Sequence, residues 1–348
     1  MWIQDLDLIL KQEPVIATFP VSALRETPDS VEQFYSAHAK THLSLGDTAQ
    51  HVETIFRWVG GQNSGAFIGA VVGNYGEGKT SFLLHVWEES RARNIFAIPP
   101  FEWVQFGATV DAVASWVDYV LSKTHPTLGR KALHLYEAFR DKSLGQLGRE
   151  IAERTGQDLD TVREMLAAAE KAGTSFSMEV TPTKLLDYCA EVTEVLKEAG
   201  YAGLLVLLDE PEIAAKKLGR EKVAHLLFEL ADELHRRDGD YGAFVSLPQN
   251  FLADAQRRFA SLPPRLQACK CFPRLRDVCG PAFARDLWHR YIDRFELGEE
   301  GLKVVSAAAL QAIGQVGSSE RTDISYGPRT VVSAFNRMVF CYRNSGKT

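Results

Sequence analysis

The chain has 348 residues, 45% of them hydrophobic and 24% charged, which is ordinary globular composition with length for two or three packed units. A net charge of −6 excludes the global basic field that advertises nucleic-acid binding, although a local basic face stays open. No apolar run reaches the ~18 residues of a membrane span, "MWIQDLDLILKQEP" carries early acids and is not read as a signal peptide, and five cysteines suit a reducing cytoplasm better than a disulfide framework.

Residues 1–30 read as irregular, with prolines at Pro14, Pro20 and Pro28. A helix is expected within 31–59, stopped by Gly60 and Gly61. "AFIGAVVG" (66–73) is a short β-branched apolar run and predicts a buried strand. The next helix, over 80–94, places Phe82, Leu83, Val86 and Trp87 on one face. A second strand is expected over 95–106, interrupted by Pro99 and Pro100. Residues 107–180 read mostly as helices, and 143–173 as two of them joined by a turn at Gly156. Further on come a helix over 183–199 stopped by Gly200, a strand at 203–209 and a helix over 216–237. A strand at 241–250 leads into a loop, and a short one follows at 268–275. Residues 281–343 read as helical, broken near "GQVGSSERTDISYGPR".

Strands alternating with helices predict an α/β fold with a mainly parallel, five-stranded sheet covered on both faces. The domain layout that follows is an N-terminal extension and helix (1–60) and a core (61–280) with a helical insert at about 107–180. A C-terminal helical lid (281–348) completes it.

"GNYGEGKT", Gly73 to Thr80, fits the phosphate-loop pattern G-x-x-x-x-G-K-[ST], and a predicted strand precedes it while a helix follows. Gly73, Gly76 and Gly78 allow backbone conformations that a β-carbon blocks. The N–H groups of Asn74, Tyr75, Glu77 and Ser81 lie in or beside a loop that can curl around phosphate oxygens at a helix N-terminus. Lys79 supplies a point charge for the β- and γ-phosphates, and Thr80 a hydroxyl for Mg²⁺.

"LLVLLDEPE" (204–212) ends five aliphatic residues on two acids. A phosphate-loop site needs a metal-directed carboxylate on a neighbouring strand, and Asp209 is placed for it. Glu210 then faces the γ-phosphate and can orient or deprotonate the attacking water. ABC-type ATPases write this strand in the same way, but they need an LSGGQ-like signature shortly upstream. The nearest imitation, "SLGQL" at 143–147, is about 60 residues away and lacks the double glycine, so that class is rejected.

With "SYGPRTVVSAFNRMV" near the C-terminus, the chain resembles AAA+ ATPases, particularly the initiator- and loader-like ones. The resemblance covers roughly residues 50–343. It implies that Arg329 opens a lid helix and acts as the second sensor of the γ-phosphate, with Val332, Phe335 and Val339 on one face of that helix. It implies a first sensor at the end of the strand after the acid pair, where Ser246 and Asn250 both qualify. It also implies an arginine finger reaching a neighbouring subunit, with Arg257, Arg258 and Arg265 as candidates. ATP rather than GTP follows from the resemblance, and no N-K-x-D guanine-reading motif is visible. Lys79 and Asp209 lie 130 positions apart, about twice the spacing of compact members, and the helical insert accounts for the excess.

The G-x-Y-G-x-G-K loop, the long insert, "GYAGLLVLLDE" and the "GPRT" lid turn together resemble the P-loop ATPases of bacterial phage-exclusion (BREX) systems. That resemblance implies a role in defence against phage DNA. Several such proteins are much longer, so the chain is either a shorter relative or an ATPase part of one.

The pair of helices in 143–173 has the outline of a helix-turn-helix, but the second one sets Glu164 and Glu170 against Arg163 and Lys171, and the turn adds Asp158 and Asp160. Phosphate contacts dominate DNA affinity, so a packing or partner surface is the better reading. Cys269, Cys271, Cys279 and His289 match no zinc spacing, and Cys269 and Cys271 fit small core residues on one strand face.

The expectation is therefore a Mg²⁺-dependent ATPase of AAA+ type whose turnover moves the lid or assembles subunits, with a homo-oligomer or a defence complex as partner. DNA binding is open and no membrane is involved. The competing class is a nucleotide-gated switch with little turnover. A small-molecule kinase is disfavoured, because no acceptor-binding motif is visible.

Overall fold

The computed structural model describes residues 48–63, 65–74, 77–102, 121, 126–172, 182–209, 219–258, 270, 271, 273, 280–318, 331, 332 and 334–339. In chain order the elements are α1 (Thr48–Val59), β1 (Phe67–Gly73), α2 (Lys79–Ala92), β2 (Ile95–Glu102), α3 (Pro126–Thr155), α4 (Leu159–Lys171) and α5 (Pro182–Glu198). They continue with β3 (Gly203–Asp209), α6 (Arg220–Arg236), β4 (Tyr241–Pro248), α7 (Gln249–Arg258), α8 (Pro281–Phe295), α9 (Gly298–Val304) and α10 (Ala307–Ser318). Residues 331, 332 and 334–339 are helical as well.

All four strands are parallel, in the order β1-β4-β3-β2. Every residue of β1, β3 and β4 is buried. That is why these segments read as unbroken apolar runs rather than alternating ones: in a parallel sheet covered on both sides, neither face meets water. The fifth expected strand is present in reduced form. Cys271 bridges Gly69 in parallel. The backbone N–H groups of Ala70 and Val72 donate to the carbonyls of Cys271 and Pro273 at 2.9 Å each, along the outer edge of β1. The phosphate-loop strand thus lies inside the sheet rather than at its margin.

The prolines expected to interrupt the second strand shift it instead: the register with β3 slips between Ile98 and Phe101, and pairing then resumes through Glu102. A bulge absorbs the missing N–H donors. The loop expected after the fourth strand is also different, because Gln249 and Asn250 already belong to α7.

One face of the sheet is covered by α1 and α2, where Ile55, Val59, Phe82 and Leu83 pack on Phe67, Leu205, Leu207 and Phe244. The other face is covered by α5 and α6, where Leu185, Val192, Leu227 and Leu230 pack on Ile68, Val206 and Val245. Each of these large side chains contributes about 1.5–3 kcal/mol on full burial. α3 and α4 form a helix pair turned at Gly156 (φ 68°), with α3 also packed along α5. Residues from α8 onward build a third apolar cluster around Trp288, Tyr291 and Phe335. The Tyr291 hydroxyl donates to Asn336 Oδ1 at 2.7 Å, and burial pushes that hydroxyl's pKa up. In the 331–339 segment the buried face is Val331, Ala334, Phe335 and Val339, with Val332 only half-buried.

At the amino end of the sheet, Lys270 lies 3.9 Å over the Trp58 ring and donates to the Ala66 carbonyl. Burial pushes its pKa down, against the pull of Asp238. Arg237, just after α6, ties to Asp187 of α5 at 2.7 Å.

Two glycines make opposite demands. A β-carbon at Gly203 would stand 2.2 Å from the Val59 carbonyl oxygen and 2.3 Å from that of Asp240, both backbone atoms that cannot step aside. A β-carbon at Gly145, within α3, meets nothing within 4 Å. Gly203→Ala is expected to lower stability by about 1–3 kcal/mol or more, and Gly145→Ala to raise it by up to about 1 kcal/mol through helix propensity. Urea unfolding of both variants checks the pair.

Candidate nucleotide-binding site

All strands being parallel, Gly73, Glu102, Asp209 and Pro248 end on one edge of the sheet. This is the edge at which open α/β sheets bind ligands. From β1 the chain passes through Asn74 and Glu77 to Gly78, the N-cap of α2, which adopts φ 94° and ψ 22°. That left-handed conformation is strained for a residue with a β-carbon and free for glycine. Gly78 carries no side chain to cap α2, and the N-terminus of a helix suits an anionic ligand.

Lys79 is buried at 8% exposure and its ammonium donates to the Asn74 carbonyl at 3.0 Å. The Glu77 carboxylate accepts from the backbone N–H of Asn74 at 2.6 Å and from Asn74 Nδ2 at 2.8 Å. The hydroxyl of Thr80 donates to Asp209 Oδ2 at 2.6 Å. Ser246 donates to the other oxygen, Oδ1. Asp209 is 1% exposed and Ser246 fully buried. A buried carboxylate is tolerable when its oxygens are satisfied. Here two hydroxyls from flanking elements do that, fixing the carboxylate at the base of the phosphate loop.

Thr80 and Asp209 are brought together by their hydrogen bond, and Lys79 stands one residue before Thr80 at the start of α2. The two first-sensor candidates separate: Ser246 lies beneath the site on Asp209, whereas Asn250 is exposed in the first turn of α7. Arg257 is exposed near the end of α7, the segment that also holds Arg258. Gly73 ends β1, and Ser81 is half-buried in the first turn of α2. Tyr75, Gly76, Glu210, Arg265, Arg329, Cys269 and Cys279 lie outside the described residues. Among the described residues no group of acids, histidines and cysteines is arranged to hold a metal ion by itself. Cys271 is a buried core thiol, 3.6 Å from His51 Nδ1. No described helix is long and apolar enough to cross a membrane.

The sequence reading passed over Glu102. Its Cα pairs with that of Asp209, which puts another acid on the ligand edge of the sheet. The signal was there to use: "IFAIPPFE" ends an apolar run on an acid as "LLVLLDE" does.

A glycine loop running from an inner strand into a helix N-terminus, with a buried strand-end acid bonded to the hydroxyl after the lysine, defines a P-loop α/β module. The family described as "BREX system ATP-binding protein BrxC/D" matches residues 163–274, about a third of the chain. The matched stretch runs from α4 through β3 and β4 to the Cys271 bridge, so the resemblance to phage-exclusion ATPases is borne out over the acid strand and independently of the phosphate loop. No curated protein matches the chain.

Solved structures of similar outline include Cdc6p from Pyrobaculum aerophilum, at 13% identity and a TM-score of 0.45, covering 88% of this chain and 64% of that one. The ORC2 protein of Aeropyrum pernix shows 13% identity and a TM-score of 0.45, covering 82% and 60%. Domain III of the Thermotoga maritima replication initiation protein DnaA shows 11% identity and a TM-score of 0.40, covering 90% and 91%. The chain thus spans less than two thirds of the length of the first two, and at these scores the likeness is one of outline.

Ser246→Ala removes the donor from a buried carboxylate oxygen and is expected to cost about 1–3 kcal/mol. Asn250→Ala, at an exposed position, is expected to stay within about 0.5 kcal/mol of the parent. Equilibrium unfolding in urea, with metal and nucleotide absent, separates them.

Proposed function

We propose that the chain binds and hydrolyses ATP with Mg²⁺, and that the nucleotide state sets the position of the C-terminal helical unit. The observation that carries this reading is the hydrogen bond from Thr80 to Asp209, which closes the phosphate loop onto the acid strand across 129 residues of sequence.

In this reading Lys79 and the N–H groups at the start of α2 bind the phosphates. Oxygen donors are what Mg²⁺ prefers, and the Thr80 hydroxyl and Asp209 carboxylate stand together at the loop. These two would hold the ion, either directly or through water. When bound, it neutralises charge developing on the transferred phosphoryl group. Ser246 keeps Asp209 oriented and so serves as a positioning residue rather than a γ-phosphate contact. Glu210, next along from Asp209, orients the attacking water and takes its proton. Arg329 reads the γ-phosphate from the lid, and Asn250 is the remaining first-sensor candidate. Arg257, Arg258 and Arg265 are finger candidates for a neighbouring subunit.

The division into an N-terminal segment (1–60), an ATPase core (61–280) and a lid (281–348) belongs to the same proposal. Its support is the third apolar cluster, which draws all its members from residues 283–339. ATP as the nucleotide, a cytoplasmic setting and a defence role alongside further subunits rest on the family match over 163–274.

Glu210→Gln is expected to lower kcat by roughly a hundred- to ten-thousand-fold while ATP still binds, and Lys79→Ala to abolish binding. Steady-state phosphate release, paired with calorimetric ATP binding, measures both. Unchanged turnover in Glu210→Gln would remove that residue from the mechanism, and a wild-type chain that binds ATP without releasing phosphate at any protein concentration would be a switch rather than a motor.

A further inference from the structure

The phosphate loop is internally braced, and Asn74 is the hub of the brace. Its backbone N–H and its side-chain amide both donate to the two oxygens of Glu77, at 2.6 and 2.8 Å. Its carbonyl accepts from Lys79 Nζ at 3.0 Å and from the Glu77 backbone N–H at 3.3 Å. Four hydrogen bonds thus tie one residue at the start of the loop to two near its end. Asn74 is exposed and Glu77 half-buried, so neither is placed there by core packing.

The phosphate-loop pattern leaves both positions unspecified, and the substitution rules of the motif give no reason for an acid at 77. An acid beside a phosphate site opposes an anionic ligand unless its charge is otherwise engaged. The geometry gives the reason. A carboxylate accepts two parallel N–H donors and so joins both ends of the loop.

We infer that Glu77 and Asn74 form a positioning clasp that pre-folds the phosphate loop before the nucleotide arrives. The inference rests on the ATP-binding reading above. A loop already held in its binding conformation loses less conformational freedom on binding. Its effect therefore falls on affinity.

The test exploits the difference between a clasp and a charge. Glu77→Ala removes the clasp. Glu77→Gln removes the charge but keeps a clasp, because the Asn74 amide can turn over to accept from the glutamine NH₂ while the backbone N–H still finds the glutamine oxygen. Asn74→Asp sets two carboxylates against each other and breaks the clasp. The double variant Asn74→Asp/Glu77→Gln rebuilds it with donor and acceptor exchanged, at the net charge of the parent. Asn74→Asp/Glu77→Ala has that same net charge and no clasp.

ATP binding by titration calorimetry, and KM and kcat from phosphate release, are measured on the whole chain. Glu77→Ala, Asn74→Asp and Asn74→Asp/Glu77→Ala are expected to weaken ATP about three- to tenfold, the scale of a lost hydrogen bond. Glu77→Gln and Asn74→Asp/Glu77→Gln are expected to restore affinity to within twofold. Across the series KM moves with the affinity. The clasp is overturned if Glu77→Ala binds ATP as the parent does, if Glu77→Gln behaves like Glu77→Ala, or if the exchanged pair fails to recover over Asn74→Asp/Glu77→Ala. A parent chain that binds no ATP would instead overturn the nucleotide reading itself.

Discussion

A carboxylate at the end of a fully buried strand is the constraint on which the site depends. Asp209 closes β3 with 1% of its surface exposed, at the end of a strand whose other residues are all apolar or glycine. Water solvates it little, so the protein must hold its oxygens. Thr80 holds one and Ser246 the other. Because Thr80 opens α2 and Ser246 lies on β4, satisfying one acid fixes the start of the phosphate-loop helix against two neighbouring strands. The strand order β1-β4-β3 makes this possible, since β4 stands between the loop strand and the acid strand and brings Ser246 to the acid's side.

The two apolar layers serve that arrangement. α2 must start at a defined height over the sheet for Thr80 to reach Asp209. Its buried face of Phe82, Leu83 and Val86 sets that height against Phe67, Phe244 and Leu207. Phe82 and Phe244 lie 5.6 Å apart, and the Phe244 ring covers Gly69, where a β-carbon would stand 2.6 Å from the ring. The glycine in β1 is therefore a packing requirement of the helix that carries the phosphate loop. His85, further along α2, sits in surroundings that push its pKa down, chiefly by burial; Glu89 pulls the other way, and Arg290 of α8 adds to the lowering.

Much of this was legible in the sequence because it follows from composition and spacing. Unbroken runs such as "AFIGAVVG" and "LLVLLDE" can be solvated on neither face, so they read directly as a parallel sheet with helices on both sides. The phosphate-loop spacing and the strand-end acid single out Lys79, Thr80 and Asp209. What could not be read is what depends on register. Whether Ser246 or Asn250 faces the acid turns on where β4 ends and on which of its residues stands opposite Asp209, and no periodicity encodes that when every position of the strand is apolar or small. The prolines of "IFAIPPFE" suggested a broken strand, yet a bulge carries the pairing past them to Glu102. Nor does a motif with unspecified positions predict that Asn74 and Glu77 will find each other.

The central claim is that Thr80 and Asp209 form the metal-directed end of an ATP site. The most direct measurement is the Mg²⁺ dependence of ATP affinity in the parent chain and in Asp209→Asn, by calorimetric titration with Mg²⁺ and with a chelator. Mg²⁺ should strengthen ATP binding to the parent and lose that effect in Asp209→Asn. Parent affinity that is indifferent to Mg²⁺, or a variant that keeps the full dependence, would contradict the account.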